Sequence, residues 1–190
     1  MAFSASMLWR RIDTPGHDTC RLEGDKDGWA LLGATIFSHQ AGPVCLSYSV
    51  KCDLEWKTVS GQVRGVIGDR HIDYSILRQR ETWTVNGDAV PGLDHLVDLD
   101  FSFTPATNLV QLRRVSISVN DPVQLPVAWF DLDAGRLTEL QQTYKLRSHE
   151  EVFYEAPSVG YKGLLVLDPN GFVKSYPNLW LAEQALRTVS

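Results

Sequence analysis

Hydrophobic residues in this chain recur at every second position, in one short segment after another. Val44, Leu46, Tyr48, Val50 and Cys52 share one phase, with Ser47, Ser49, Lys51 and Asp53 in the other. Ile72, Tyr74 and Ile76 alternate with His71, Asp73 and Ser75. Val97, Leu99, Phe101 and Phe103 alternate with Asp98, Asp100, Ser102 and Thr104. Val115, Ile117 and Val119 repeat the pattern, as do Leu140, Gln142, Tyr144 and Leu146. A strand turns successive side chains to opposite faces, so period two implies antiparallel strands with one buried face. Turn residues separate the segments. Asn86-Gly87 follows Trp83 and Val85, and Asp168-Pro-Asn-Gly171 divides two apolar runs; both predict hairpins. Gln40–Pro43 and Asn120–Pro122 read as further turns.

Helical spacing occurs near the C-terminus, where Leu179, Ala182, Leu186 and Val189 follow a capping Asn178. A weaker helical or irregular stretch falls near 105–112. Residues 29–37 are apolar in both phases, which predicts a strand covered on both sides. Ten to thirteen short strands curl, because a long flat sheet with open edges is avoided. The expected fold is mainly β: a single curled antiparallel sheet forming a barrel-like or half-barrel body with a short C-terminal helix. One domain over residues 1–190 fits the length.

Composition narrows the function. Lys and Arg number 18 against 23 Asp and Glu, a net charge of −5. That argues against a nucleic-acid partner, which draws on clustered cations. The three cysteines, Cys20, Cys45 and Cys52, are an odd number with no CxxC pair. Neither a disulfide framework nor a structural zinc is expected, and a reducing, cytoplasmic setting fits. The longest apolar run, 28–34, is far short of a membrane span, so none is expected.

No P-loop, GxGxxG or GxSxG pattern is present, so neither a cofactor nor an enzyme is expected. The five histidines lack metal-pair spacing. Asp98 and Asp100 share a strand face about 7 Å apart. A carboxylate-dependent sugar hydrolase using that pair is the weaker alternative, since such enzymes place their two carboxyls across a cleft. The stretch from Thr104 to Arg114 is unusual. Pro105 breaks the strand, Thr107 and Asn108 suit an irregular turn, and Arg113-Arg114 enter the next strand on opposite faces. One arginine therefore faces inward. It either pairs with Asp98 or Asp100 or meets an anionic head group.

Several segments together resemble a bacterial family described as putative glycolipid-binding. They are Asp94–Asn108 with Leu112-Arg-Arg114, Gln142-Thr-Tyr144, Leu167–Val173 leading to Tyr176–Trp180, and Leu46-Ser-Tyr48 with Asp53-Leu-Glu-Trp56. The order and spacing match over roughly residues 7 to 181. Ala106 and Gln111 depart from the family's bulky apolar and aliphatic residues there. The resemblance implies a curled sheet similar in outline to periplasmic lipoprotein carriers, which hold acyl chains in an apolar cavity.

The combined expectation is a binding protein for a lipid or glycolipid. Tyr48, Trp56, Trp83, Trp129 and Tyr144 would line the cavity, offering apolar faces with polar tips. Arg113 or Arg114 would meet the head group, oriented by Asp98, Asp100 and Asn108. The alternative is a ligand-free partner protein that forms a homodimer through an edge strand.

Overall fold

A computed structural model of the chain describes residues 3–119 and 121–183. The longest alternating stretches form β1 (Phe3–Arg11), β2 (Gly16–Gly24), β3 (Trp29–Phe37), β4 (Val44–Cys52), β5 (Thr58–Ile67) and β6 (Arg70–Gln79). These pair in succession as an antiparallel meander. β7 (Thr82–Val85) and β8 (Asp88–Val90) complete it. Between them Asn86 and Gly87 take φ of 51° and 90°, the left-handed pair that a two-residue hairpin demands.

The chain then leaves the meander through β9 (Leu99–Phe101) and the helix α1 (Asn108–Arg114). Next come β10 (Pro122–Gln124), β11 (Val127–Asp131) and β12 (Arg136–Leu140). A second meander follows: β13 (Thr143–Leu146), β14 (Glu151–Ala156), β15 (Tyr161–Leu167), β16 (Val173–Tyr176) and β17 (Trp180–Ala182).

Among the described residues, fourteen strands form one sheet in the order β10-β13-β14-β15-β16-β17-β1-β2-β3-β4-β5-β6-β7-β8. β17 pairs with β1, which joins the two meanders. The end strands β10 and β8 do not pair with each other, so the sheet is an open curl and not a closed barrel. β12, β11 and β9 form a separate small sheet, with β9 parallel to β11.

The small sheet fills the buried face of the large one. A Cβ on Gly61 of β5 would lie 2.2 Å from Leu99 Cδ2. Phe101 and Phe103 meet the Tyr48 ring edge-on, and Phe130 tilts against Tyr74. α1 adds the fully buried Leu109 and Val110. Each such side chain contributes roughly 1.5–3 kcal/mol on burial, against about 1 kcal/mol net for a hydrogen bond. Interior contact therefore adds to strand pairing in stabilising the curl.

Several local expectations are corrected. The proposed C-terminal helix begins instead as strand β17, with Asn178 in a left-handed turn (φ 65°). Pairing with β1 outweighs the helical spacing of Leu179 and Ala182, and Leu186 and Val189 lie outside the described residues. Arg113 and Arg114 end a helix and do not enter a strand, because the helix buries its whole first turn, Asn108 to Gln111, in the interior. Val119 makes an isolated bridge to Leu146 in place of a strand through Val115 and Ile117. The run Leu140–Leu146 is two strands in two sheets, broken where the Gln142 carbonyl accepts from Leu125 N–H. β9 is short and buried at all three positions. β3 is covered on one side: Leu32 and Ile36 remain 42% and 54% exposed.

Candidate functional site

Five of the ten residues singled out from the sequence meet inside the curl. Asp98 and Asp100 flank Leu99, and both are buried. Asp98 accepts two hydrogen bonds from Arg114, from Nε to Oδ1 at 2.8 Å and from Nη2 to Oδ2 at 2.7 Å. Burial raises the Asp98 carboxyl, and the Arg114 guanidinium pulls against that rise. Asp100 is held by neutral donors. The Thr107 hydroxyl donates to Oδ1, and Gln142 Nε2 donates to Oδ2 at 2.8 Å. Gln142 Oε1 accepts from Tyr144 Oη at 3.1 Å, and that hydroxyl accepts from Asn108 Nδ2 at 2.8 Å. Burial pushes Asp100 up to about 6, with the Thr107 and Gln142 bonds opposing. The Tyr144 phenol is also raised, chiefly by burial.

The other five lie elsewhere. Arg113 is at the surface, where Nη2 donates to the Asn170 carbonyl. Trp83 is fully buried and donates from Nε1 to the Leu96 carbonyl at 3.2 Å. Trp129 sits on β11 opposite Asp100 and Thr138 within the small sheet. Tyr48 belongs to a second buried polar group. Its hydroxyl donates to Asp18 Oδ1 at 2.7 Å and bonds Thr104 Oγ1 at 2.9 Å. Asp18 went unnoticed in the sequence, although it shares the buried phase of Cys20 and Leu22.

Trp56 marks a different place. Its ring stacks on Trp29 at 4.4 Å with 15° between planes. Its φ is 64°, a left-handed backbone that a bulky residue rarely adopts. Asp53 enforces it: Oδ1 accepts from Glu55 N–H and Lys57 N–H, both at 2.9 Å. Two glycines complete this wall. A Cβ on Gly24 would strike the Trp29 ring at 2.4 Å, and one on Gly28 (φ 143°) would strike the Cys52 carbonyl at 2.2 Å.

Beside this wall an open groove of about 550 Å³ runs across the ends of β2, β3 and β4. Arg21, Glu23, Asp25, Asp27, Lys51 and Trp29 line it. Arg21 Nε donates to Glu23 Oε1 at 2.8 Å. Lys51 has no ion-pair partner among the described residues. The volume falls within the range of small-molecule sites. Hydrogen-bonding side chains of both signs suit a ligand rich in hydroxyls. Arg21 and Lys51 occupy the outward phase of their strands, so the sequence alone marks them as ordinary surface residues.

Among the described residues, no group of three or more His, Cys, Asp or Glu is placed to hold a metal ion. No helix there is long and apolar enough to cross a membrane.

The chain is thus a β-rich protein, an open curled sheet wrapped around a small inner sheet, with an open groove at one end. The model of the family described as "Putative glycolipid-binding" matches residues 6–182, and the chain belongs to that family. A crystal structure of a DUF1089 family protein from Pseudomonas aeruginosa has the same fold. It matches with a TM-score of 0.69 at 20% identity, covering 95% of this chain and 91% of that one. No curated protein matches.

Proposed function

We propose that the chain binds a glycolipid-type amphiphile and takes its sugar head in the groove at Trp29. The carrying observation is the groove's lining: Arg21, Glu23, Asp25, Asp27 and Lys51 set both donors and acceptors around an open depression that Trp29 and Ala30 also line. The family description supports the same ligand class. A ligand inside the curl, as the sequence suggested, would have to displace Leu99, Phe101 and Phe130, each buried to 2% exposure or less. The interior set of Asp98, Asp100, Asn108, Arg114 and Tyr144 braces α1 and the small sheet in this reading. A second reading, self-association through a sheet edge, draws on β8 and β10, which among the described residues each present one unpaired side.

The test is calorimetry with octyl glucoside and octyl maltoside below their micelle concentrations, with an alkyl phosphocholine as the sugar-free control. Saturable binding of the glycosides is expected. The double variant Arg21→Ala/Lys51→Ala should weaken it about tenfold with an unchanged melting temperature. No saturable glycoside binding, or binding untouched by the double variant, would refute the reading.

A further inference from the structure

We infer that the hydrocarbon tail of the ligand lies on the outer face of β3, outside the curl; this rests on the groove's taking the head. β3 breaks the rule that a one-sided strand alternates apolar with polar. Its inner phase is buried, as at Leu31 and Phe37. Its outer phase is nevertheless Ala30, Leu32, Ala34 and Ile36, apolar throughout. Leu32 and Ile36 are 42% and 54% exposed, and no other element of the described structure covers them.

This row starts inside the groove. Ala30 lines the groove, and Leu32 sits directly opposite Arg21, another lining residue. From Ala30 the same face runs to Ile36, about 20 Å along the strand at its usual rise. The β4 flank is low, with Ser49, Ser47 and Cys45 beside Leu32, Ala34 and Ile36 in register; on β2, Thr19 stands opposite Ala34 between Arg21 and His17. The small Ala34 leaves a dip between Leu32 and Ile36. An alkyl chain leaving the groove meets this trough along β3 itself, with the polar side chains of β2 on one side and the small side chains of β4 on the other.

The inward route is closed. On the inner face of the same strands Leu22, Leu31 and Val50 are buried. The Tyr48 ring packs so tightly over β3 that a Cβ on Gly33 would lie 2.1 Å from it. The outer row is therefore the continuous apolar path from the groove.

The experiment compares methyl, hexyl, octyl and decyl glucosides, all below their micelle concentrations, by calorimetry. Each methylene laid on apolar surface is worth about two- to fourfold in affinity. Wild type should gain at least tenfold from hexyl to decyl. Leu32→Ser/Ile36→Ser should flatten that gain to less than about twofold while methyl glucoside binds as in wild type. Both positions are exposed, so the fold tolerates the change. Cys45 supplies a second readout, because it is exposed and pairs in register with Ile36, whereas Cys20 and Cys52 are buried. Decyl glucoside should slow maleimide modification of Cys45, and methyl glucoside should not. If methyl glucoside binds but chain length has no effect, or the double serine variant keeps the full gain, the tail placement is wrong and the head-group reading stands. If no glucoside of any length binds wild type, both fall together.

Discussion

The most exacting prediction concerns Asp18. Its side chain is 1% exposed, and its surroundings are Tyr48, Thr104, Thr35 and Cys20. Tyr48 donates to Oδ1, while Oδ2 has no hydrogen-bond partner among the described residues. Neither Tyr48 nor Cys20 is cationic, and burial raises both of their own ionisations. Burial pushes Asp18 from 3.8 up to about 8, against the pull of the Tyr48 bond. Between those two pH values the folded chain holds a proton that the unfolded chain has released. Stability is therefore fully present below about pH 4 and is lost as pH rises through about 8. One proton gives a slope of about 1.4 kcal/mol per pH unit, so from pH 5 to pH 8 the loss is on the order of 4 kcal/mol. Asp100, raised to about 6, adds to the slope over its lower part. Urea unfolding at pH 5, 6, 7 and 8 measures it. Wild type should lose stability steadily across the series. Asp18→Asn should remove one proton's worth of slope, whatever it does to absolute stability. Identical slopes in the two proteins would refute the argument that a neutral carboxyl is built into the core.

Other outcomes follow from local geometry. Arg114→Ala leaves Asp98 buried without its two donors and should cost about 3–5 kcal/mol in chemical unfolding; adding Asp98→Leu should recover much of that, and no recovery would mean the pair itself is not the cause. Trp56→Gly should unfold at higher denaturant than Trp56→Ala, by about 1 kcal/mol, since both lose the stack on Trp29 but glycine accepts a φ of 64° without strain. Equal stability of the two would remove the strain from the account. Gly33→Ala should lower stability by about 1–3 kcal/mol through overpacking on Tyr48, and a melting temperature equal to wild type would contradict the tight contact.

What the sequence disclosed depends on how local each determinant is. The strands β4 and β6 and the Asn86-Gly87 hairpin were legible because alternation and turn chemistry act between neighbouring residues. The stretch through Arg113 and Arg114 misled because Val115, Ile117 and Val119 carry strand periodicity, while the burial of Leu109 and Val110 that makes the helix is a tertiary fact. Leu140 to Leu146 looks continuous in sequence, yet Gln142 is where the chain changes sheets. The Arg–Asp pair was foreseen as a type of contact, and the structure selects Arg114 with Asp98. The groove was invisible for a different reason. Arg21, Lys51 and Asp27 stand on separate strands and turns, each ordinary alone, and register alone brings them together.

The pairing of β1 with β17 also shapes the birth of the protein. Trp9 is fully buried and donates to the Val173 carbonyl, and the Arg11 guanidinium lies over Phe37 and Trp180, at 4.4 Å and 5.3 Å from the ring centroids. None of these contacts with β16 or β17 exists until the ribosome has released residues 173–182. Throughout that interval β1 of the nascent chain holds β2 on one side and leaves backbone N–H and C=O groups unpaired on the other. Contacts so distant in sequence form slowly, and such an edge invites pairing with another chain. The seam is thus where a chaperone would have most to protect during synthesis, and where truncated translation products would aggregate first.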